Sequence, residues 1–194
     1  MGSVCRSFAG GLGWSQEEVP MATAWAVRRA AVADAVALAE LAAETFPLAC
    51  PPGFDREAIS AHIRLRLSAD AFRINLADVG LEYSVAVLPT GRLAGYLLVA
   101  PGPAPVGDQR LLEVRQIYVH PDLHGSGLAD ELLEFAAQRA GELGLEGLWL
   151  GTSKVNQRAI RFYRRHGFEP RAERVFLVHD VPNEDWVMVR ALGT

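Results

Sequence analysis

Residues His124 to Ala129 read His-Gly-Ser-Gly-Leu-Ala and lie between a strand-like run and a helix-like one. Glycines at 125 and 127 let the backbone approach a ligand closely. The helix start that follows presents unpaired N–H groups with a partial positive charge. Together these features bind phosphate or pyrophosphate. The plain alternative is a tight turn that needs positive φ and holds nothing. Two familiar phosphate-binding signatures are absent: no Gly-Lys-Ser/Thr follows the turn, and the GxGxxG spacing with a downstream ribose-binding acid is missing.

Other chemistry-bearing residues are more dispersed. Lys154, Arg158, Arg161, Arg164, Arg165, Arg171 and Arg174 form a local basic cluster. It is either a solvated helix face or an attractor for a polyanion such as nucleotide phosphates. Nucleic acid is the weaker version, because neither aromatic interleaving nor a binding motif accompanies the cluster. The histidines (62, 120, 124, 166 and 179) are scattered, and Pro121 argues against a helix that would align His120 with His124. No metal is therefore expected. Cys5 and Cys50 can form neither a disulfide framework nor a four-cysteine zinc site, and neither has the motif context of a covalent nucleophile.

The elements that must position these residues follow from periodicity and breakers. A short strand is expected from Trp25, then a helix with Leu38, Leu41, Ala42 and Thr45 on one face, ended by Pro47, Pro51, Pro52 and Gly53. A helical region from Asp55 to about Ala77 is broken near Ser68. Two strands joined by Pro-Thr-Gly-Arg come next, followed by a loop rich in Pro and Gly. The run Leu-Leu-Glu-Val-Arg-Gln-Ile-Tyr-Val is a strand that ends before Pro121. After the glycine turn a helix carries Leu128, Leu132, Phe135, Ala136 and Leu143 as its apolar stripe, with Gly144 and Gly147 closing it. A buried strand, Leu-Trp-Leu-Gly-Thr-Ser, precedes a helix that starts at Asn156 and ends at Gly167. A final hairpin places Pro-Asn-Glu-Asp between its two strands.

Composition bounds the whole. A chain of 194 residues suits one domain. Being half hydrophobic and 22% charged, with mean hydropathy +0.11, it is neither disordered nor fibrous. The formal net charge of -4 gives no global argument for nucleic acid. No uncharged apolar run reaches the roughly eighteen residues of a membrane helix. The first 22 residues read as a flexible tail, and Ser7, Gly10 and Gly11 interrupt any signal-peptide core. These features predict a cytoplasmic protein without nucleic-acid or membrane partners.

The order of "LEVRQIYVHPDLHGSGLADELL" and "LWLGTSKVNQRAIRFYRRHGF" resembles the GNAT superfamily of acyl-CoA-dependent N-acyltransferases. The family's Gln/Arg-x-x-Gly-x-Gly/Ala turn falls on His124, Gly127 and Ala129. His124 departs from the usual Gln or Arg, whereas a backbone cradle from Gly125 to Ala129 needs no particular side chain. A second pattern, Asn-x-x-Ala-x-x-Phe-Tyr-x-x-x-Gly-Phe, falls on Asn156, Ala159, Phe162, Tyr163, Gly167 and Phe168. Within the superfamily the chain is similar to bacterial spermidine/spermine N-acetyltransferases of the PaiA type. The resemblance runs from about Trp25 to Leu192 and is weakest from Asp55 to Ala77.

It implies one α/β (α+β) domain over residues 23–194, with a mixed, mostly antiparallel twisted sheet of about seven strands and helices on both faces. It also implies acetyl-CoA as cosubstrate, no metal, and a small primary amine of polyamine type as acceptor, attacked directly. An aminoglycoside, an amino acid or a protein N-terminus would keep the same chemistry, and a non-catalytic acyl-CoA-binding regulator would not. Family members often form homodimers.

An alkylamine with a pKa of about 10.4 must lose a proton before it attacks. The resemblance offers Glu113 as the base; the alternative is a surface carboxylate paired with Arg115. Tyr163 is the implied general acid, or else packs beside Phe162 on an apolar helix face. Asn156 either hydrogen-bonds the pantetheine arm or caps its own helix. The backbone of Ile117, Tyr118 and Val119 would meet the pantetheine amides, and one N–H there would stabilise the oxyanion. His124, Gly125, Ser126, Gly127, Leu128 and Ala129 would cradle the cofactor, with Ala159 and Phe162 beside them. The acceptor pocket would be built from Pro51–Phe54, the helices after it and the final hairpin. Asp55, Glu57, Asp180, Glu184 and Asp185 would attract a cationic amine if several converge.

Overall fold

The computed structural model describes residues 25–107 and 110–193. The expected tail over residues 1–22, and Cys5 with it, lies outside the described residues. Among the described residues seven strands make one sheet: β1 (Ala26–Arg29), β2 (Glu82–Val87), β3 (Leu93–Pro101), β4 (Leu111–Val119), β5 (Gly147–Ser153), β6 (Glu169–Val178) and β7 (Val181–Ala191). Their order is β1-β2-β3-β4-β5-β7-β6, and every pairing is antiparallel except β4 with β5. Five α-helices cover it: α1 (Ala35–Ala49), α2 (Arg56–Arg66), α3 (Ala69–Ala77), α4 (Leu128–Glu142) and α5 (Gln157–Arg165). A core with Leu97, Leu112, Leu132 and Leu148 lies under α4. A second, with Leu38, Phe72, Tyr83 and Tyr96, lies under α1 and α3. Helices on both faces of a mixed, mostly antiparallel sheet agree with the expected fold.

The one parallel pairing is short. β4 and β5 run together only from Leu111–Glu113 against Gly147–Trp149, and beyond that point their register ends. β5 continues against β7 as far as Ser153. β4 keeps its bonds to β3, but the register shifts so that Arg115 has no partner between the Val99–Val114 and Leu98–Gln116 pairs. A bulge of this kind bends its strand. The two strands therefore part, and β4 turns an unpaired edge toward a cleft.

α4 seats on the sheet through a face of leucines and alanines. Leu128, Leu132, Ala136 and Ala140 form one i, i+4 row, with Leu133 and Ala137 beside it. Gly95 of β3 is required opposite them: a Cβ there would stand 2.8 Å from the Tyr118 carbonyl oxygen and 3.3 Å from Leu128 and Leu132. This corrects the expected stripe, since Phe135 and Leu143 are exposed. The buried face continues through Ala136, Ala137 and Ala140 instead, and Leu143 falls just past the end of α4.

Three further corrections concern boundaries. α1 continues through Pro47 to Ala49. A proline in the last turn forfeits one hydrogen bond, and its own carbonyl accepts from the Cys50 N–H. Gly147 does not close α4 but opens β5, where the Arg190 carbonyl oxygen leaves no space for a side chain. The final hairpin turns at His179–Asp180, with His179 at φ 54, so Pro182 to Asp185 belong to β7 rather than to a loop. The expected break at Ser68 agrees, since Ser68 caps α3 by accepting from the Ala71 N–H.

Candidate active site

Where β4 and β5 part, a cleft of about 530 Å³ opens. One wall is the glycine turn. Gly127 caps α4 at φ 90 and Gly125 sits at φ 84, left-handed conformations open to glycine at little cost. The wall is made by Gly125, Gly127 and Ala129. Ser126 and Leu128 are not among the residues lining it. The Leu128 side chain is fully buried beneath α4, and its N–H donates to Ser126 Oγ at 3.4 Å. Ile117, Tyr118 and Val119 line the cleft from the free edge of β4.

His124 also lines the cleft, in a role its family position does not suggest. Its Nε2 is 3.1 Å from the Val119 carbonyl oxygen and its Nδ1 is 3.1 Å from an Arg158 guanidinium nitrogen. A carbonyl only accepts and a guanidinium only donates. In this arrangement Nε2 faces the carbonyl and Nδ1 accepts from the guanidinium, so His124 holds Arg158 beside the glycine turn. Arg158, Arg161 and Arg165 line the cleft, making its rim cationic. Lys154 is instead tied to Glu173 and Glu184, and Arg171 to Glu169. The basic cluster thus divides into a cleft-facing part and a salt-bridged surface part.

α5 supplies the next wall. Asn156 does two things at once: its Oδ1 accepts from the Ala159 N–H at 3.0 Å, capping α5, and its Nδ2 donates to the Ala49 carbonyl at 3.5 Å. Ala159, Phe162 and Tyr163 line the cleft one turn further along. Burial pushes the Tyr163 phenol well above its ordinary pKa, with no opposing hydrogen bond. The Tyr118 phenol is also raised, first by burial and then by the nearby ionisable groups of Tyr163, Cys50 and Asp185. Those four residues therefore share one small region.

Opposite the glycine turn the wall changes character, with Phe46 and Leu48 from α1, Cys50 and Pro51 after it, Phe176 and Val178 from β6, and Asn183 and Asp185 from β7. Asp185 is only 4% exposed. Its Oδ1 accepts from Asn183 Nδ2 at 2.5 Å, while its Oδ2 stands 3.5 Å from Arg174 Nε. Burial raises its pKa above the ordinary aspartate value, and Arg174 and Asn183 oppose that rise. The Arg174 guanidinium lies across Gly151, where any Cβ would overlap it, and over the Trp149 and Phe176 rings at 5.5 and 5.8 Å.

Glu113 is not among the residues lining the cleft. Arg115 Nε donates to its carboxylate at 2.7 Å, and Arg174 stands 3.8 Å away. Of the other four acids, none lines the cleft: Asp55 caps α2, Glu184 holds Lys154 and Asp180 faces His179. Glu57 is exposed on the first turn of α2. Only Asp185 reaches the cleft from this set. Arg174 and Asn183 are partners that sequence reasoning missed. The signal for Asp185 was present, because Asp185, Val187 and Val189 form one buried period-two row of β7.

Comparison with known proteins agrees with this architecture. The family model described as "Acetyltransferase (GNAT) family" matches residues 36–168, and the chain belongs to that family. An uncharacterised N-acetyltransferase of Mycobacterium tuberculosis is 37% identical over 159 residues, covering 82% of this chain and 98% of its own. The streptothricin acetyltransferase of Streptomyces lavendulae is 40% identical over 91 residues, covering 47% of this chain and 46% of its own. The PaiA N-acetyltransferase of Thermoplasma acidophilum, solved with coenzyme A, has the same fold, with a TM-score of 0.72 at 17% identity over 87% of this chain and 99% of that one. Family membership makes the protein an acyl-CoA-dependent N-acyltransferase. Among the described residues, no group of three metal-ligating side chains is present, and no helix is long and apolar enough to cross a membrane.

Proposed function

We propose that the protein transfers an acetyl group from acetyl-CoA to the primary amine of a small molecule by direct attack, without a covalent acyl-enzyme. The observation that carries this reading is the cleft at the parting of β4 and β5, cationic and backbone-lined on one side and carrying the Asp185 carboxylate on the other. When bound, acetyl-CoA supplies a thioester carbonyl and a thiolate leaving group. The fit is good: Gly125, Gly127 and Ala129, at the turn and the start of α4, line the cleft with backbone N–H groups for a pyrophosphate. Arg158, Arg161 and Arg165 add charge, and the free edge of β4 from Ile117 to Val119 offers backbone partners for amides.

Tyr163 is the general acid of this reading. Tyr163 lines the cleft, and its raised pKa keeps it protonated until a departing thiolate needs the proton. Asn156 orients the pantetheine arm and still caps α5. The cytoplasm, where acyl-CoA thioesters are available, is the compartment this chemistry implies.

For the acceptor, the finer resemblance suggests a polyamine, and the likeness to streptothricin acetyltransferase adds streptothricin. Aminoglycosides and amino acids keep the same chemistry. Thiol release from acetyl-CoA, measured with these amines as a panel, tests the reading. It predicts amine-dependent release and an acetylated amine by mass spectrometry. Tight acetyl-CoA binding with no release from any amine would instead identify a regulator.

A further inference from the structure

We propose that Asp185 receives the acceptor's ammonium group and takes its proton, and that the acceptor carries one cationic amine beside an apolar body. This deepens the reading above and rests on it for the donor. It places the proton acceptor on β7, far along the chain from Glu113.

Asp185 has hydrogen-bonding capacity to spare. A buried carboxylate has room for several hydrogen bonds, and buried polar atoms are normally paired. Asp185 is 4% exposed, yet only its Oδ1 receives a hydrogen bond among the described residues, from Asn183. Oδ2 faces Arg174 Nε at 3.5 Å, and that Nε is itself buried without a hydrogen-bond partner. Arg174 is held off by its seat on Gly151 and the two aromatic rings. Asp185 lines the cleft, and its Oδ2, facing only Arg174 at ion-pair distance, keeps acceptor capacity for an ammonium, which brings three donors.

The surroundings limit what carries that ammonium. Charged and titratable groups facing Asp185 are Arg174 of β6 and Tyr118 of β4, with Tyr163 and Cys50 close to Tyr118. None of these is a second fixed carboxylate. Glu113 stands on the far side of Arg174 and is already held by Arg115. The other lining carboxylate, Asp130, is bonded to His166 at 2.8 Å at the glycine-turn end. Phe46, Leu48, Phe176 and Val178 make the remaining wall apolar. A second ammonium would find no counter-charge there, so a monoamine with an apolar body fits better than a polycation.

The proton balance is complete. Asp185 Oδ2 takes one proton from the ammonium, leaving a neutral amine whose lone pair forms the C–N bond as the C–S bond breaks. Tyr163 Oη–H gives its proton to the departing sulfur and regains one from the acylated nitrogen. Asp185 returns its proton to solvent when product leaves.

The test uses the full chain and its Asp185→Asn, Asp185→Glu and Glu113→Gln variants, with 2-phenylethylamine and hexylamine against spermidine. Calorimetry measures amine binding in the presence of coenzyme A, and thiol release measures turnover. The expected result is a preference for the monoamines and a loss of about 10²-fold in kcat/KM for Asp185→Asn. It includes a higher amine KM, partial rescue in Asp185→Glu, an unchanged coenzyme A affinity that certifies folding, and Glu113→Gln close to the parent. Wild-type turnover that survives in Asp185→Asn and collapses in Glu113→Gln overturns this assignment while leaving the acetyltransfer reading intact. If no amine turns over, the acetyltransfer reading fails, and binding still decides: amine binding lost in Asp185→Asn supports the site, and binding unchanged or absent overturns it. A clear preference for spermidine overturns the single-cation claim.

Discussion

The two ends of the cleft are built in different ways. The donor end is contiguous in sequence: β4, the glycine turn and the start of α4 follow one another between Leu111 and Asp130, and α5 joins them with Asn156, Ala159, Phe162 and Tyr163. Much of its bonding capacity belongs to the backbone, in the free edge of β4 and the N–H groups at the start of α4. The acceptor end draws Phe46 and Cys50 from the close of α1, Gly151 and Ser153 from β5, Phe176 from β6 and Asp185 from β7. Its character lies in side chains that only the tertiary fold collects. A backbone cradle binds one ligand and tolerates sequence change around it; a wall of dispersed side chains can be altered one residue at a time. One domain can thereby keep its donor and change its acceptor.

Substitutions that separate the ends should have graded effects. The largest is expected from Tyr163→Phe, which removes the proposed acid while preserving the ring packed against Phe168 at 5.7 Å. The account predicts a fall in kcat of about 10²- to 10⁴-fold with an unchanged acetyl-CoA KM, read in a steady-state thiol assay. An equal loss in both parameters would assign Tyr163 to binding instead. Next comes Gly127→Val at the donor end. A branched residue at φ 90 costs about 1–2 kcal/mol or more, so acetyl-CoA affinity should drop about tenfold while amine affinity holds.

Arg158→Ala should weaken coenzyme A binding less, by about 1 kcal/mol or under, and its effect should shrink as salt screens the rim. Titration calorimetry at two ionic strengths checks both points. The smallest effect belongs to neither end. Arg139 donates to both carboxylate oxygens of Glu82 at 2.8 Å, tying α4 to β2, and this bond holds the Glu82 carboxyl below its ordinary pKa. A lowered carboxylate pKa stabilises the fold above the unfolded-state value, and the gain is lost as pH falls through the folded-state value. Thermal melts should therefore show Glu82→Gln destabilised by about 1 kcal/mol at neutral pH and converging with the parent in acid.

The same contrast explains what was legible before the structure. The glycine turn, α4 and α5 could be placed because their signals are local: a cap, a breaker and a helical period lie within a few residues of each other. Legibility stopped where tertiary packing chose between local options. The Pro-Asn-Glu-Asp run has turn composition, yet it lies in β7, where pairing with β5 and β6 overrides it. That pairing is what buries Asp185. Glu113 had the right residue type on the right strand, but its neighbour Arg115 occupies a bulge and holds the carboxylate outside the cleft lining. Phe135 and Leu143 failed as core residues because α4 buries the face of Leu128, Leu132, Leu133, Ala136, Ala137 and Ala140, and Leu143 lies past its end. Each of these outcomes depends on a partner strand or helix that periodicity does not report.

The most direct measurement is thiol release from acetyl-CoA across the amine panel, run with the parent protein and with Tyr163→Phe, and paired with mass spectrometry of the amine. The account predicts amine-dependent release, one acetyl group on the acceptor, and near-complete loss in the variant while acetyl-CoA still binds. Release that ignores the amine, or that persists undiminished in Tyr163→Phe, would contradict it.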